Sequence, residues 1–111
     1  MIEIVNGINY KLFNIVDSLD IKLLESEIIS TEKNINIIID LTNSERINAK
    51  KRYDIVTLNK RKDLFHDRSV VYFIAPKSGM RGVLMAIDWI ANLDYKMSIH
   101  PDLRSALNKI G

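Results

Sequence analysis

Residues 70–93 read VVYFIAPKSGMRGVLMAIDWIANL, and this stretch decides the fold. Residues 70–75 form an unbroken apolar run rich in β-branched and aromatic side chains, the pattern of a strand buried on both faces. Pro76 ends the run, Lys77-Ser78-Gly79 supplies a short loop, and a helical pattern starts near Gly79 or Met80. At about 100° per residue, Arg81, Asp88 and Asn92 fall on one narrow polar line. Met80, Val83, Leu84, Ile87, Ile90 and Ala91 lie to one side of that line, and Gly82, Met85, Ala86, Trp89 and Leu93 to the other. A helix that covers one face of a sheet needs an apolar sector of little more than about 100°. This helix has far more, so it is expected to touch something besides its own sheet. Gly82, Met85, Trp89 and Leu93 are the candidate interaction face.

Moving outward from this unit, the same alternation recurs. Residues 35–41 (INIIIDL) are a second strongly hydrophobic strand, followed by the polar loop Thr42-Asn43-Ser44-Glu45. A helix over about residues 45–65 carries two apolar stripes on roughly opposite sides: Ile47, Ile55, Leu58 and Phe65, and Ala49, Tyr53, Val56 and Leu64. Either it breaks near its middle or it is covered on two sides. At the start of the chain, residues 1–5 are β-rich, Asn6-Gly7 is a hairpin signal, and residues 8–16 form the returning strand. A change of phase near Leu12-Phe13 implies either a bulge or an end of the strand that is covered on both sides. Asp17 is read as a helix N-cap with Asp20 three residues on, and Leu19, Leu23, Leu24 and Ile28 line the following helix. Residues 95–99 are a short strand at a sheet edge. His100-Pro101-Asp102 opens a last helix, with His100 as its cap and Pro101 at its first position.

The order is β-β-α-β-α-β-α-β-α. Strands alternating with helices give an α/β sheet, parallel over most of its width, with an antiparallel hairpin at the start and helices packed on the sheet. The 111 residues make one domain, 1–111, with enough chain for a single core. No apolar run approaches the roughly 18 residues of a membrane span, and no basic leader follows Met1, so a cytoplasmic location is expected. The absence of cysteine excludes disulfides, thiol catalysis and Cys-ligated metal. The net charge of +2 conceals an asymmetry: residues 1–45 carry −5 and residues 46–111 carry +7. Such a chain either associates with itself or a charged partner, or mixes its charges within one fold.

Three pieces of the sequence carry a family resemblance. Residues 35–43, INIIIDLTN, look like a hydrophobic run ending in Asp-Leu-Ser/Thr; residues 70–84, VVYFIAPKSGMRGVL, look like a fourth strand, loop and third helix; residues 95–110, YKMSIHPDLRSALNKI, look like a last strand, turn and Asp-Leu-x-x-Ala-Leu helix. Together they resemble the STAS domain, the fold of anti-sigma-factor antagonists and of sulfate-transporter tails. The related SpoIIAA-like group, often compared with CRAL-TRIO lipid-carrier domains, is similar too. The resemblance implies a regulatory module that works by contact with other proteins. It does not carry the family's phosphoryl switch. Antagonists have Asp-Ser-Ser/Ala-Gly at the start of the second helix, and here Asn48-Ala49-Lys50-Lys51 stand there. Ala49 replaces the acceptor Ser and Lys51 the tight-turn Gly, leaving Asn48, Ala49 and Lys50 as a degenerate phospho-loop.

Other candidate chemistry is sparse. His66 and His100 fall at turns with no companion ligands at metal-site spacing, so no metal and no cofactor are expected. Lys77, Ser78, Gly79 and Arg81 stand where a strand ends and a helix begins, an arrangement that either holds a phosphate or carboxylate or is a plain turn. The runs Lys50-Lys51-Arg52 and Lys60-Arg61-Lys62 are interleaved with Asp54 and Asp63 and lack an aromatic platform. They read as a solvated face rather than a nucleic-acid site. No paired inward carboxylates or nucleophile–base pair emerge, so an enzyme is not expected. The expectation is a non-catalytic interaction module, a homodimer or the partner of another protein. The alternative is a domain that binds a small apolar or anionic ligand, an acyl chain against Met85 and Trp89 being one form of it.

Overall fold

Two-residue periodicity along four neighbouring strands sorts the core into two halves. The computed structural model describes residues 1–59, 70–91 and 96–111. The strands are β1 (Ile2–Asn6), β2 (Tyr10–Ile15), β3 (Asn36–Asp40), β4 (Val70–Ile74) and β5 (Lys96–His100). They form one sheet in sequential order, with β1–β2 antiparallel and the other three pairings parallel. Among the described residues four helices alternate with them: α1 (Ile21–Ile29), α2 (Ala49–Asn59), α3 (Ser78–Ala91) and α4 (Leu103–Ile110). The order of elements is the expected one.

Each crossover from β2 to β5 moves one place in the same direction across the sheet, and crossovers of a single hand deliver the connecting helices α1, α2 and α3 to one face. Phe13, Ile15, Ile37, Ile39, Val71, Phe73 and Met97 point to that face. There they pack with Leu24 and Ile28 of α1, Ile55 of α2, and Leu84 and Ile87 of α3. The intervening residues, Leu12, Ile38, Tyr72 and Ile74, point the other way and are covered by Ala106 of α4. The central strands are therefore apolar on both sides, which is why residues 37–39 and 70–75 read as unbroken runs. Removing a buried side chain such as Phe13 or Ile38 down to Ala costs about 2–5 kcal/mol in cores of this kind.

Several local expectations need correction. The β1–β2 register runs without interruption from Ile2↔Ile15 to Asn6↔Lys11, so the phase change at Leu12-Phe13 marks a strand covered on both faces and not a bulge. The hairpin turns through residues 7–9, with Gly7 N–H donating to the Tyr10 carbonyl at 2.9 Å. A Cβ on Gly7 would lie 2.1 Å from the Tyr10 ring, so any side chain there must displace the ring. Asp17 does not cap α1. It adopts φ 62°, a left-handed conformation that Asp tolerates better than most residues, and bridges to Ser44. Its N–H donates to the Asn43 carbonyl (3.1 Å) and its carbonyl accepts from Glu45 N–H (2.6 Å). The cap is Asp20, whose carboxylate accepts from Leu23 N–H.

At the other end, Asp102 caps α4 by accepting from Ser105 N–H at 2.8 Å, and Pro101 precedes the cap. His100 is the last residue of β5 and only 8% exposed, not a helix cap. α2 begins at Ala49, with Asn48 Oδ1 accepting from Lys51 N–H at 2.9 Å. Of its two stripes, Ile47 and Ile55 are buried and Val56 is half-buried, whereas Ala49 and Tyr53 face solvent. The expected stripe members Leu64 and Phe65, the run Lys60-Arg61-Lys62, His66 and Leu93 lie outside the described residues. Among the described residues no helix is long and apolar enough to cross a membrane.

Candidate functional site

The carboxyl ends of β3 and β4 meet at the mouth of a cavity. Asp40 closes β3 with its carboxylate, Oδ1 accepting from Thr42 N–H (2.9 Å) and Thr42 Oγ1 (2.5 Å), which bends the chain out of the sheet. Leu41 N–H still donates to the Ile74 carbonyl at 2.8 Å, so the two strand ends stay side by side. On the β4 side, Arg81 reaches back from α3. Its guanidinium donates to the carbonyls of Ala75 (2.9 Å) and Pro76 (2.7 Å), and this latches the turn into the helix.

Between these two turns lies a cavity of about 590 Å³, within the roughly 300–1,000 Å³ range of small-molecule sites. Its floor is apolar, built by Leu41, Ile47, Met80 and Val83, and its rim holds Thr42, Ser44, Arg46, Arg52 and Lys77. Three cations from three segments therefore converge on one opening. Among the described residues none of the three has an ion pair with a carboxylate. A second hollow of about 500 Å³ continues from it between α2 and α3, lined by Val56, Gly82, Val83, Ala86 and Ile87, and shares Arg52, Gly79 and Val83 with the first. The two make one groove with a cationic mouth and an apolar run.

Of the candidate anion-site residues, Lys77 and Gly79 line this cavity, and Ser78 is the first residue of α3. Arg81 is committed to the two carbonyls. Arg46 and Arg52, which the sequence reading leaves out of the site, replace it. The first intrahelical donor of α3 is Arg81 N–H, to the Lys77 carbonyl at 3.1 Å, so the N–H groups of Ser78, Gly79 and Met80 have no intrahelical acceptor. Within the basic run, Lys51 Nζ donates to the Leu19 carbonyl while Arg52 faces the groove. Asn48, Ala49 and Lys50, the expected degenerate phospho-loop, are exposed and carry no hydroxyl.

The candidate interaction face is open. Leu84 and Ile87 are buried and Met80 and Val83 half-buried, whereas Met85 is 61% and Trp89 87% exposed, one helical turn apart. Gly82 and Ala86, on the adjoining sector of α3, are exposed and border the groove. The glycines of α3 answer no demand of the backbone: neither has positive φ, and among the described residues nothing lies within 4 Å of a Cβ built at Gly79 or Gly82. Glycine inside a helix costs about 0.8–1 kcal/mol relative to alanine.

On the opposite face, structure brings together residues the sequence reading kept apart. His100 Nε2 lies 2.6 Å from Ser98 Oγ, its Nδ1 lies 2.8 Å from Ser105 Oγ, and the ring stacks on Tyr72. A hydroxyl within reach of an imidazole is half of a nucleophilic arrangement, but there the second ring nitrogen is oriented by a third group, usually a carboxylate. Here a second hydroxyl occupies it, and the ring ties β5 to α4. Burial first, then the Lys109 charge, lowers the His100 pKa, with Asp102 opposing. Among the described residues no three His, Asp or Glu side chains form a metal-binding group.

Solved structures place this architecture. An uncharacterised protein of the DUF3478 family from Shewanella loihica PV-4, described as having a SpoIIAA-like fold, superposes with a TM-score of 0.67 at 20% identity over 100% of this chain and 93% of its own. An anti-sigma factor antagonist from Mycobacterium paratuberculosis superposes with a TM-score of 0.66 at 15% identity, over 99% and 92% respectively. No protein-family model matches the sequence, and no curated protein matches it either. The likeness is one of fold: the chain has a SpoIIAA-like α/β fold.

Proposed function

We propose that this SpoIIAA-like domain is a non-catalytic regulatory module that acts by binding protein through the outer face of α3, with a second copy of itself as the first partner. The observation that carries this reading is the exposure of Trp89 and Met85 side by side on a helix whose inner face is already fully used. Aromatic residues and Met are enriched in the cores of protein interfaces, where one end of the side chain is desolvated on contact. One of the two similar structures is named as an antagonist of an anti-sigma factor, and so as a protein that acts on a protein. That supports the same class of function for this chain.

The module works without the phosphoryl switch of antagonists, because Ala49 offers no acceptor oxygen at the start of α2. Regulation would then come through association itself. Sedimentation equilibrium of the full chain tests the reading. A monomer–dimer equilibrium in the micromolar range, lost on Trp89→Ala, supports it, and a strict monomer at high micromolar concentration contradicts it.

A further inference from the structure

We infer that the groove between α2 and α3 binds a small amphipathic anion, with its carboxylate or phosphate head among Arg46, Arg52 and Lys77 and its apolar body along Gly82, Val83 and Val56. The inference is independent of the Met85–Trp89 interface. Either can hold while the other fails.

Charge selects the head group. Arg46, Arg52 and Lys77 converge on a single opening with no described carboxylate in ion-pair contact. Like charges gathered at a concave mouth with apolar walls focus a positive potential there, and an oxyanion relieves it. The N–H groups of Ser78 and Gly79, which lack intrahelical acceptors, add donors on the same side. Guanidinium groups suit carboxylate and phosphate best, because they offer two parallel N–H donors.

Shape selects the rest of the molecule. Beyond Arg52 the groove is lined by Val56, Val83, Ala86, Ile87 and the bare backbone of Gly79 and Gly82. An inorganic anion would fill the mouth and leave this run wet, whereas a hydrocarbon body uses both parts. The glycines show that the run is kept open at a cost. A Cβ at either position meets nothing among the described residues, and neither residue needs glycine's backbone freedom. Their effect is to hold space between two helices that larger residues would fill.

The test is a titration of the full-length, ¹⁵N-labelled protein followed on the amide signals of Gly79 and Gly82. Decanoate and decyl phosphate are the amphipathic probes; inorganic phosphate, decanol and phosphatidylglycerol vesicles are the comparisons. The expected result is a saturable shift of both glycines with decanoate or decyl phosphate. Inorganic phosphate and decanol should bind at least about tenfold more weakly, as loss of a charge-assisted pair or of the apolar contact requires. Arg52→Ala should weaken decanoate about tenfold or more while leaving the melting temperature unchanged. Gly82→Leu should abolish binding, and Gly82→Ala, which keeps the helix intact, is read beside it as a partial block in a folded protein. Unmoved Gly79 and Gly82 signals below the micellar concentration of both amphiphiles would overturn the inference. So would binding of inorganic phosphate as tight as that of decanoate, binding to vesicles alone, or wild-type affinity in Arg52→Ala.

Discussion

His100 and Ser105 lock the last helix onto the sheet: Nδ1 of the buried imidazole lies 2.8 Å from the serine hydroxyl across the β5–α4 turn, while Nε2 lies 2.6 Å from Ser98. A neutral imidazole donates through one nitrogen and accepts through the other, so it satisfies one hydroxyl of each kind. The ring also stacks on Tyr72, beneath α4, which covers this face. That helix is short, and its hold on the sheet depends on a few contacts.

A pH dependence follows. The folded chain holds the His100 pKa below the ordinary 6.5, chiefly by burial, with Lys109 adding to the effect and Asp102 opposing it. The unfolded chain therefore binds this proton first as pH falls, and stability is lost from about 6.5 downward. The melting temperature should drop between pH 7.5 and pH 5.5, and the drop should be smaller in His100→Gln. Equal slopes in the two proteins would show that His100 does not carry the effect.

The hairpin makes a second prediction. Gly7→Ala places a methyl group 2.1 Å from the Tyr10 ring, which is half-buried against the face covered by α4. Overpacking of this kind costs about 1–3 kcal/mol, read by urea denaturation. Replacing Tyr10 with Leu should recover much of that loss. A cost that persists unchanged in the double variant would place the strain elsewhere.

Gly82→Ala should behave oppositely. Its Cβ meets no described atom, so the helix gains about 0.5–1 kcal/mol and the melting temperature rises by several degrees. A lower melting temperature would mean that the position is packed more tightly than its surroundings show.

Phosphorylation offers a fourth test. Ala49 stands exposed at the start of α2, and the hydroxyls of the loop before it, Thr42 and Ser44, are engaged with the Asp40 carboxylate and the Glu45 carbonyl. No stoichiometric phosphate is expected in this region. A phosphoryl group would add nearly two negative charges beside Arg46 and Lys50, and phosphopeptide mapping of protein from native cells would reveal it. Substantial modification of Ser44 or Thr42 would revive the switch.

Much of the architecture is legible in the sequence because burial on both faces leaves a plain mark. Residues 70–75 and 37–39 are apolar without alternation, as central parallel strands must be, and Pro76 and the polar Thr42-Asn43 follow them. The outward sector of α3 is legible for the same reason: Leu84 and Ile87 exhaust what one sheet face can bury, which leaves Met85 and Trp89 over. Caps were harder to read. Asp17 and Asp20 both satisfy the residue preference, and only the strand-like bridge of Asp17 to Ser44 assigns the cap to Asp20. The cationic mouth was invisible along the chain. Arg46 and Arg52 meet Lys77 only because parallel pairing of β3 and β4 sets their following loops side by side. The role of His100 is hidden in the sequence because a polar residue before Pro101-Asp102 resembles a turn, while its two serine partners lie on either side of it and converge only in the fold.

The central claim is that Trp89 serves a contact outside the fold, and the most direct measurement is sedimentation equilibrium of wild-type and Trp89→Ala protein with a thermal melt of each. A side chain 87% exposed contributes little to the fold, so the melt should shift by no more than about 0.5 kcal/mol. An interface aromatic costs about 2 kcal/mol or more when truncated, a weakening of more than tenfold in the dimer dissociation constant. The account predicts a folded variant that has become monomeric where the wild type is dimeric. A wild type that stays monomeric at high micromolar concentration, or a variant that dimerises as well as the wild type, would contradict it.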